Sequence, residues 1–224
     1  MIAHFVSLRV INLENTHLGD TGTIEICGCL SDHPHLTEVN LARNNISDLS
    51  CKSVATLIRE TFYLASINLH WNAIRGEGAV LILNAVASNG NTRVLDLSWN
   101  TVGATKSRAF PTKMAELLST QENLVHLDLS NNRLDADACE IISKGLKDNH
   151  TLWGVHIIGN EAKVDAKGFM HAGKAETNVA CEHLAHRING RMMVVWPSPE
   201  EREVDNCWIC EGWNEVLFEW PARI

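Results

Sequence analysis

Two groups of residues have the types and spacing to do chemistry. The first is Cys207-Trp208-Ile209-Cys210-Glu211-Gly212-Trp213, near the C-terminal end of the sequence. A Cys-x-x-Cys pair followed by Gly has the form of one zinc-ribbon knuckle, in which backbone amides after the second Cys support the thiolates. A structural zinc takes four ligands, and the nearest second pair is Cys181 with His183, or His183 with His186. One knuckle without a well-spaced partner favours the plainer expectation of two thiols packed among Trp196, Trp208, Trp213 and Trp220. A thioredoxin-like redox use lacks its βαβ context. The second group is Asp96, Asp128, His126 and His156, whose carboxylates and imidazoles are the donor types used by metal-dependent and proton-transferring sites.

What places the second group together is a repeat. The pattern L-x-x-L-x-L-x-x-N-x-L starts at Leu8, Leu36, Leu64, Thr92, Leu124 and Leu152, so the period is 28 residues with a single interval of 32 (124 − 92). The L-x-L centre reads as a short strand, with two apolar side chains directed inward and the middle one outward. Asn44, Asn72, Asn100, Asn132 and Asn160 stand where the chain leaves the strand, and Thr16 takes that place in the first copy. A side-chain amide there satisfies backbone groups in the turn. The second half of each unit is helical. Leu18, Gly22, Ile26 and Leu30 recur every four residues, as do Ile46, Ser50, Val54 and Ile58, then Ile74, Gly78, Ile82 and Val86, then Leu134, Ala138, Ile142 and Leu146. That spacing lines one helix face. The small-residue column marks a close approach, expected between helix and strand layers.

The repeat resembles the ribonuclease-inhibitor class of leucine-rich repeats, over residues 5 to 175. The resemblance implies an α/β solenoid of about six units, with a curved parallel sheet inside and helices outside. Such a unit cannot bury its apolar face alone, so neighbours complete the core. No polar capping segment precedes Phe5, which suggests a truncated chain or a first repeat covered by a partner, the plainer alternative being a short cap made by Met1 to Phe5. Residues 1–175 are read as the solenoid and 176–224 as a Trp/Cys-rich cap or tail. The C-W-x-C-E-x-W run is similar to tails that follow such arrays in some protist proteins. Within the tail, HLAHRINGRM reads as a helix end breaking at Gly190, and MMVVWP and EVLFEWP as short strands stopped by Pro.

The outward sheet positions form the default binding surface of a solenoid. Their central column is Asn12, Asn40, Asn68, Asp96, Asp128 and His156, flanked by His126 in one neighbouring column and His70 in the other. With strands roughly 4.8 Å apart, Asp96, Asp128, His126 and His156 are expected to cluster. A polar recognition face is the preferred reading of that cluster, because no nucleophile, Gly-rich phosphate loop or second catalytic motif accompanies it. At the strand exit, Trp71 and Trp99 share one motif position, with Arg43 before them and Asn131 after. Aromatics beside an Arg are typical interface anchors. Trp153, opening the last strand, is expected to bury the C-terminal end. The segment that takes up the longer interval, Gly103 to Lys113, carries Lys106, Arg108 and Pro111 and is expected to be a loop.

Composition narrows the partners. A formal charge of −8 works against a phosphate-binding surface and so against nucleic acid. No apolar run approaches the roughly 20 residues that cross a bilayer, and the N-terminus lacks the pattern of a signal peptide. Seven Cys, with Cys27, Cys29, Cys51 and Cys139 in helical stretches, point to reduced buried thiols rather than a disulfide framework. The expectation is a cytoplasmic, non-enzymatic scaffold that binds another protein, within a large cytoskeletal or ciliary assembly, through Arg43, His70, Trp71, Trp99 and the Asp/His cluster. No cofactor is expected beyond the zinc weighed above.

Overall fold

A computed structural model describes residues 7–147, 149–152, 154–164, 170–172, 185–188 and 191–194. Its first part is five strand–helix units in succession: β1 (Val10–Asn12) and α1 (Gly19–Leu30), β2 (Glu38–Asn40) and α2 (Asp48–Glu60), β3 (Ser66–Asn68) and α3 (Gly76–Asn89), β4 (Val94–Asp96) and α4 (Ala109–Thr120), β5 (His126–Asp128) and α5 (Ala136–Lys147). A sixth strand, β6 (Gly154–His156), opens the last unit. The six strands pair in parallel and in chain order, with motif-equivalent residues in register, as in Asn68 with Asp96, Asp96 with Asp128 and Asp128 with His156. The architecture is the α/β leucine-rich-repeat solenoid that the resemblance implies.

The apolar spacing accounts for the core. Ile46, Ser50, Val54 and Ile58 are fully buried, as are Ile74, Ile82 and Val86, and the Leu134, Ala138, Ile142 and Leu146 column is buried too. In the first unit Leu18 and Ile26 are only partly buried. In the small-residue column Gly78 serves a different contact from the one expected: a Cβ there would run into Asp48 and Cys51 of α2. Gly145, outside that column, behaves alike, since its Cβ would run into the Ala115 backbone of α4. The close approach is therefore between successive helices, because a unit of 28 residues stacks its helix directly on the one before it.

Helix starts are held across the repeat boundary. Asp20 in α1 accepts from the Ser47 amide at 2.9 Å and the Ser47 and Ser50 hydroxyls at 2.6 Å, and Asp48 in α2 accepts from the Arg75 amide at 2.7 Å. Ser47 in turn caps α2 through Leu49. The N-terminal end of a helix offers unpaired amides to an acidic group, and here the preceding helix supplies it.

Of the segment Gly103 to Lys113, residues 103–108 form the expected loop, and the rest is corrected to the start of α4; the loop is a fastened one. Arg108 reaches Asp135 at 2.7 and 3.0 Å and Asp137 at 2.9 Å, which ties it to the next unit. Pro111 lies buried in the first turn of α4, where its missing amide proton costs nothing.

The sixth unit departs from the pattern. In place of a helix, the described residues show β7 (Ala162–Val164) and β8 (Met170–Ala172) paired antiparallel, with β8 against α5. Two further strands then continue the main sheet beyond β6: β9 (Ala185–Ile188), antiparallel to it, and β10 (Arg191–Val194). The expected helix end over HLAHRINGRM is thus corrected to strand. Ile188 pairs with Arg191, and the intervening sequence is Asn189-Gly190, the dipeptide most typical of a two-residue hairpin connection. The strand expected at MMVVWP matches β10. Cys27, Cys51 and Cys139 are buried, free and helical; Cys29 is exposed, contrary to the expectation that all four are buried. Burial pushes these three buried thiols up to about 12, so they are protonated and inert at neutral pH. The Met1 to Phe5 segment, Trp153, Cys181, His183 and the run from Trp196 through Cys207 and Cys210 to Trp220 lie outside the described residues.

Candidate functional site: the strand-exit rim and the adjoining sheet face

The strand exits are built on an asparagine ladder. Asn132 donates from Nδ2 to Leu97 O, Leu129 O and Ser130 O at 2.8 to 3.2 Å, while its Oδ1 accepts from Val102 N. Asn100 makes the same contacts one unit earlier, to Leu69 O, Leu97 O and Ser98 O. Each leucine carbonyl along the seam is therefore held by two consecutive asparagines: Leu41 O by Asn44 and Asn72, Leu69 O by Asn72 and Asn100, Leu97 O by Asn100 and Asn132, Leu129 O by Asn132 and Asn160. In the first unit Thr16 Oγ1 donates to Leu13 O at 2.7 Å and partly replaces the missing amide.

This ladder dictates an unusual backbone just ahead of it. The residue before the ladder position is left-handed in every unit: Asn15 (φ 55°), Arg43 (58°), Trp71 (52°), Trp99 (53°), Asn131 (55°) and Gly159 (72°). Asn and Gly tolerate that conformation, whereas a bulky side chain there is a local conflict costing on the order of 1 kcal/mol. Trp71 and Trp99 both carry it. Their rings stack with centroids 4.6 Å apart and planes 13° from parallel, and the Arg43 guanidinium lies over Trp71 at 5.3 Å. Arg43 also approaches Glu14 at 3.7 Å. Despite the stack, Trp71 stays 49% exposed and Trp99 46%. The expected grouping of Arg43, Trp71 and Trp99 is present.

The sheet face beside the rim is a polar relay. His70 Nδ1 lies 2.7 Å from Ser98 Oγ, and Ser98 donates to Asp96 Oδ1 from both its hydroxyl (2.6 Å) and its amide (2.8 Å). Asp128, the register partner of Asp96, accepts from Ser130 N at 2.8 Å. The Asn40 and Asn68 side chains accept from the amide two residues on in the same way, so Asp keeps the turn-holding role and adds charge. Burial first, and then repulsion from Asp128, push the Asp96 carboxyl up to about 7, against the lowering pull of Ser98 and His156. Burial holds the His70 imidazolium below its ordinary value, although the Asp128 carboxylate acts the other way.

His126 and His156 meet with their Nε2 atoms 2.8 Å apart, and both rings are buried. The contact forms because His126 sits opposite Gly154 in the register, which leaves space for its ring to turn towards the next strand. A bond between two imidazole nitrogens needs one proton between them, so the two facing nitrogens cannot both carry one.

The expected cluster is thus assembled as pairs. Among the described residues no three His, Cys, Asp or Glu side chains converge to hold a metal ion. Each carboxylate turns along its own strand to the amide two residues on, and the imidazoles face one another. The left-handed column, the doubly held carbonyls and the His126–His156 contact are absent from the sequence reading. Asn15, Asn131 and Gly159 in the Trp column signal the first, and Gly154 beside His126 signals the last.

Strand–helix units stacked on an asparagine ladder define a leucine-rich-repeat protein, and two stretches match the family under that description: residues 32–55 to "Leucine Rich repeat" and residues 123–147 to "Leucine Rich Repeat". The chain is a leucine-rich-repeat protein with repeats of the ribonuclease-inhibitor kind. It is 27% identical over 158 residues to human protein NLRC5, covering 70% of this chain and 8% of that protein. It is 25% identical over 161 residues to the pig ribonuclease inhibitor, covering 71% and 35%. The chain thus spans well under half the length of these relatives. Among solved structures, the tropomodulin C-terminal domain of Caenorhabditis elegans superposes with a TM-score of 0.52 at 16% identity, over 65% of this chain and 86% of that one. Leiomodin-1 actin-binding site 2 gives the same values. At that identity the likeness is one of fold.

Proposed function

We propose that this chain is a non-enzymatic scaffold that binds a protein partner through the rim of Arg43, Trp71 and Trp99 and the adjoining sheet face of His70, Asp96, Asp128, His126 and His156. The carrying observation is the pair of half-exposed tryptophans at left-handed positions where the first, fifth and sixth units place Asn or Gly. Packing alone does not call for a bulky ring there, and residues that break a local rule cluster at functional sites. Stacked, rigid aromatics next to an Arg bury a large area with few rotors when a partner covers them. The acidic and imidazole groups hold strand-exit amides or one another, which suits recognition better than turnover. The names of the relatives are consistent with such use: one is an inhibitor of ribonuclease, and one like-folded segment is an actin-binding site. A subunit of a larger, cytoskeletal assembly is the setting this reading favours.

The test is affinity capture of the full chain against cell extract, wild type beside Trp71→Ala/Trp99→Ala, with circular dichroism to confirm that both are folded. Loss of a captured protein in the folded double variant supports the rim. Undiminished capture by that variant refutes it.

A further inference from the structure

We infer that the outer face of Trp99 is a seat for an arginine side chain, so that the partner presents a basic, arginine-bearing segment. This rests on the rim being the binding surface, and it names the chemistry of what the rim receives.

The chain contains its own template for that contact. The two indoles stand nearly parallel, one per unit, along the line in which the repeats follow each other. On the side of the preceding unit the stack ends in a guanidinium, Arg43 over Trp71. Trp99 gives one face to Trp71, so its other face looks towards the following unit. There the same column holds Asn131 and then Gly159, side chains too short to cover an indole. Trp99 accordingly remains 46% exposed although one face is stacked. Among the described residues, Arg43 over Trp71 is the one guanidinium seated on a ring of this rim.

The adjoining strands carry acidic groups. Trp99 N donates to Ser130 O, and Ser130 N donates to the half-buried Asp128 carboxylate, so Asp128 lies two hydrogen bonds from the Trp99 backbone. Asp96 stands beside Asp128 in register. The nearby insertion cation, Arg108, is already engaged by Asp135 and Asp137. The whole sequence carries −8. An open indole face with carboxylates in the adjoining units selects a cation that is both flat and weakly hydrated. Guanidinium stacks on aromatic faces and pairs with carboxylates through a planar fork, whereas an ammonium holds its water more tightly.

The experiment is calorimetric titration of the full chain, at low salt, with a synthetic peptide of alternating glycine and arginine. The same peptide with lysine, and with the neutral flat isostere citrulline, in place of arginine serves as comparison. We expect the arginine peptide to bind most tightly, the lysine peptide several-fold more weakly and the citrulline peptide not measurably. Trp99→Leu should weaken the arginine peptide about tenfold and Asp128→Asn by a smaller factor, with circular dichroism unchanged. Equal binding of the arginine and lysine peptides, or binding indifferent to Trp99→Leu, overturns the inference in favour of diffuse charge attraction. So does the absence of arginine-peptide binding while Trp71→Ala/Trp99→Ala still abolishes capture, since the rim would then work without a guanidinium. The converse, a Trp99-dependent arginine contact with capture intact in the double variant, upholds the seat and removes the rim as the partner surface.

Discussion

Asn132 lends itself to a quantitative test of how the units are joined. It is fully buried, its Nδ2 reaches three carbonyls and its Oδ1 accepts from Val102 N. Asn132→Ala removes those bonds but orphans few groups. Leu97 O keeps Asn100, Leu129 O keeps Asn160 and Ser130 O keeps the Trp99 amide. An Nδ2 group has two protons, so two net hydrogen bonds of roughly 1 kcal/mol each are lost, plus roughly 1 kcal/mol for the Val102 amide, about 3 kcal/mol in all. Asn100→Ala should cost a similar amount. In the double variant Leu97 O has no remaining side-chain donor, because both of its partners are gone. Leaving that buried carbonyl unsatisfied adds about 1 to 3 kcal/mol beyond the sum of the single variants. Asn44 and Asn132 share no carbonyl, so that pair should add to within about 0.5 kcal/mol. Urea unfolding followed by circular dichroism measures both cycles. An additive Asn100/Asn132 pair, or a control pair equally non-additive, would falsify the shared-carbonyl account.

Further outcomes follow from the same geometry. The Asp96 carboxyl is raised when folded relative to its ordinary value near 4, so the folded state binds that proton more tightly than the unfolded chain. Its contribution to stability is complete below about pH 4 and is lost as pH rises through 7. Asp96→Asn, which keeps an oxygen to accept from Ser98 as Asn68 does for His70, should raise the urea midpoint at pH 8 and leave it nearly unchanged at pH 4; a midpoint unaltered at pH 8 refutes this. Gly145→Val should destabilise by about 3 kcal/mol or more, read as a lowered melting temperature, because its side chain must displace the α4 backbone at Ala115. Arg108→Ala should leave global stability almost unchanged, the pairs being exposed to solvent. It should nevertheless speed proteolytic cleavage within residues 103–108, a change that limited proteolysis with mass spectrometry detects.

Much of the fold is legible in the sequence because one short pattern specifies strand, turn and helix together, and its recurrence at 28 residues leaves one way to stack them. Leu95, Leu97, Asn100 and Val102 each do the task their motif position predicts. Legibility ends where the pattern does. The stretch holding β9 reads as a helix end because Gly190 breaks helices, although Asn189-Gly190 equally marks a hairpin. The sixth unit carries the strand motif but not the helical column, and β7 and β8 take the place of its helix. Within the site, column positions foretold which residues are neighbours, including the tryptophan pair and the Asp96–Asp128 register. They did not foretell directions. Whether Asp128 points at a ligand or at Ser130 N, and whether His126 turns to His156, depends on rotamers and on the space left by Gly154.

The left-handed rim column separates identity from architecture. The ladder behind it fixes the backbone at Asn15, Arg43, Trp71, Trp99, Asn131 and Gly159 alike, whatever side chain each bears. The scaffold behaves as a ruler with interchangeable markings, one per unit. A single substitution on that column rewrites what the surface reads while every strand, carbonyl and helix behind it stays where it was.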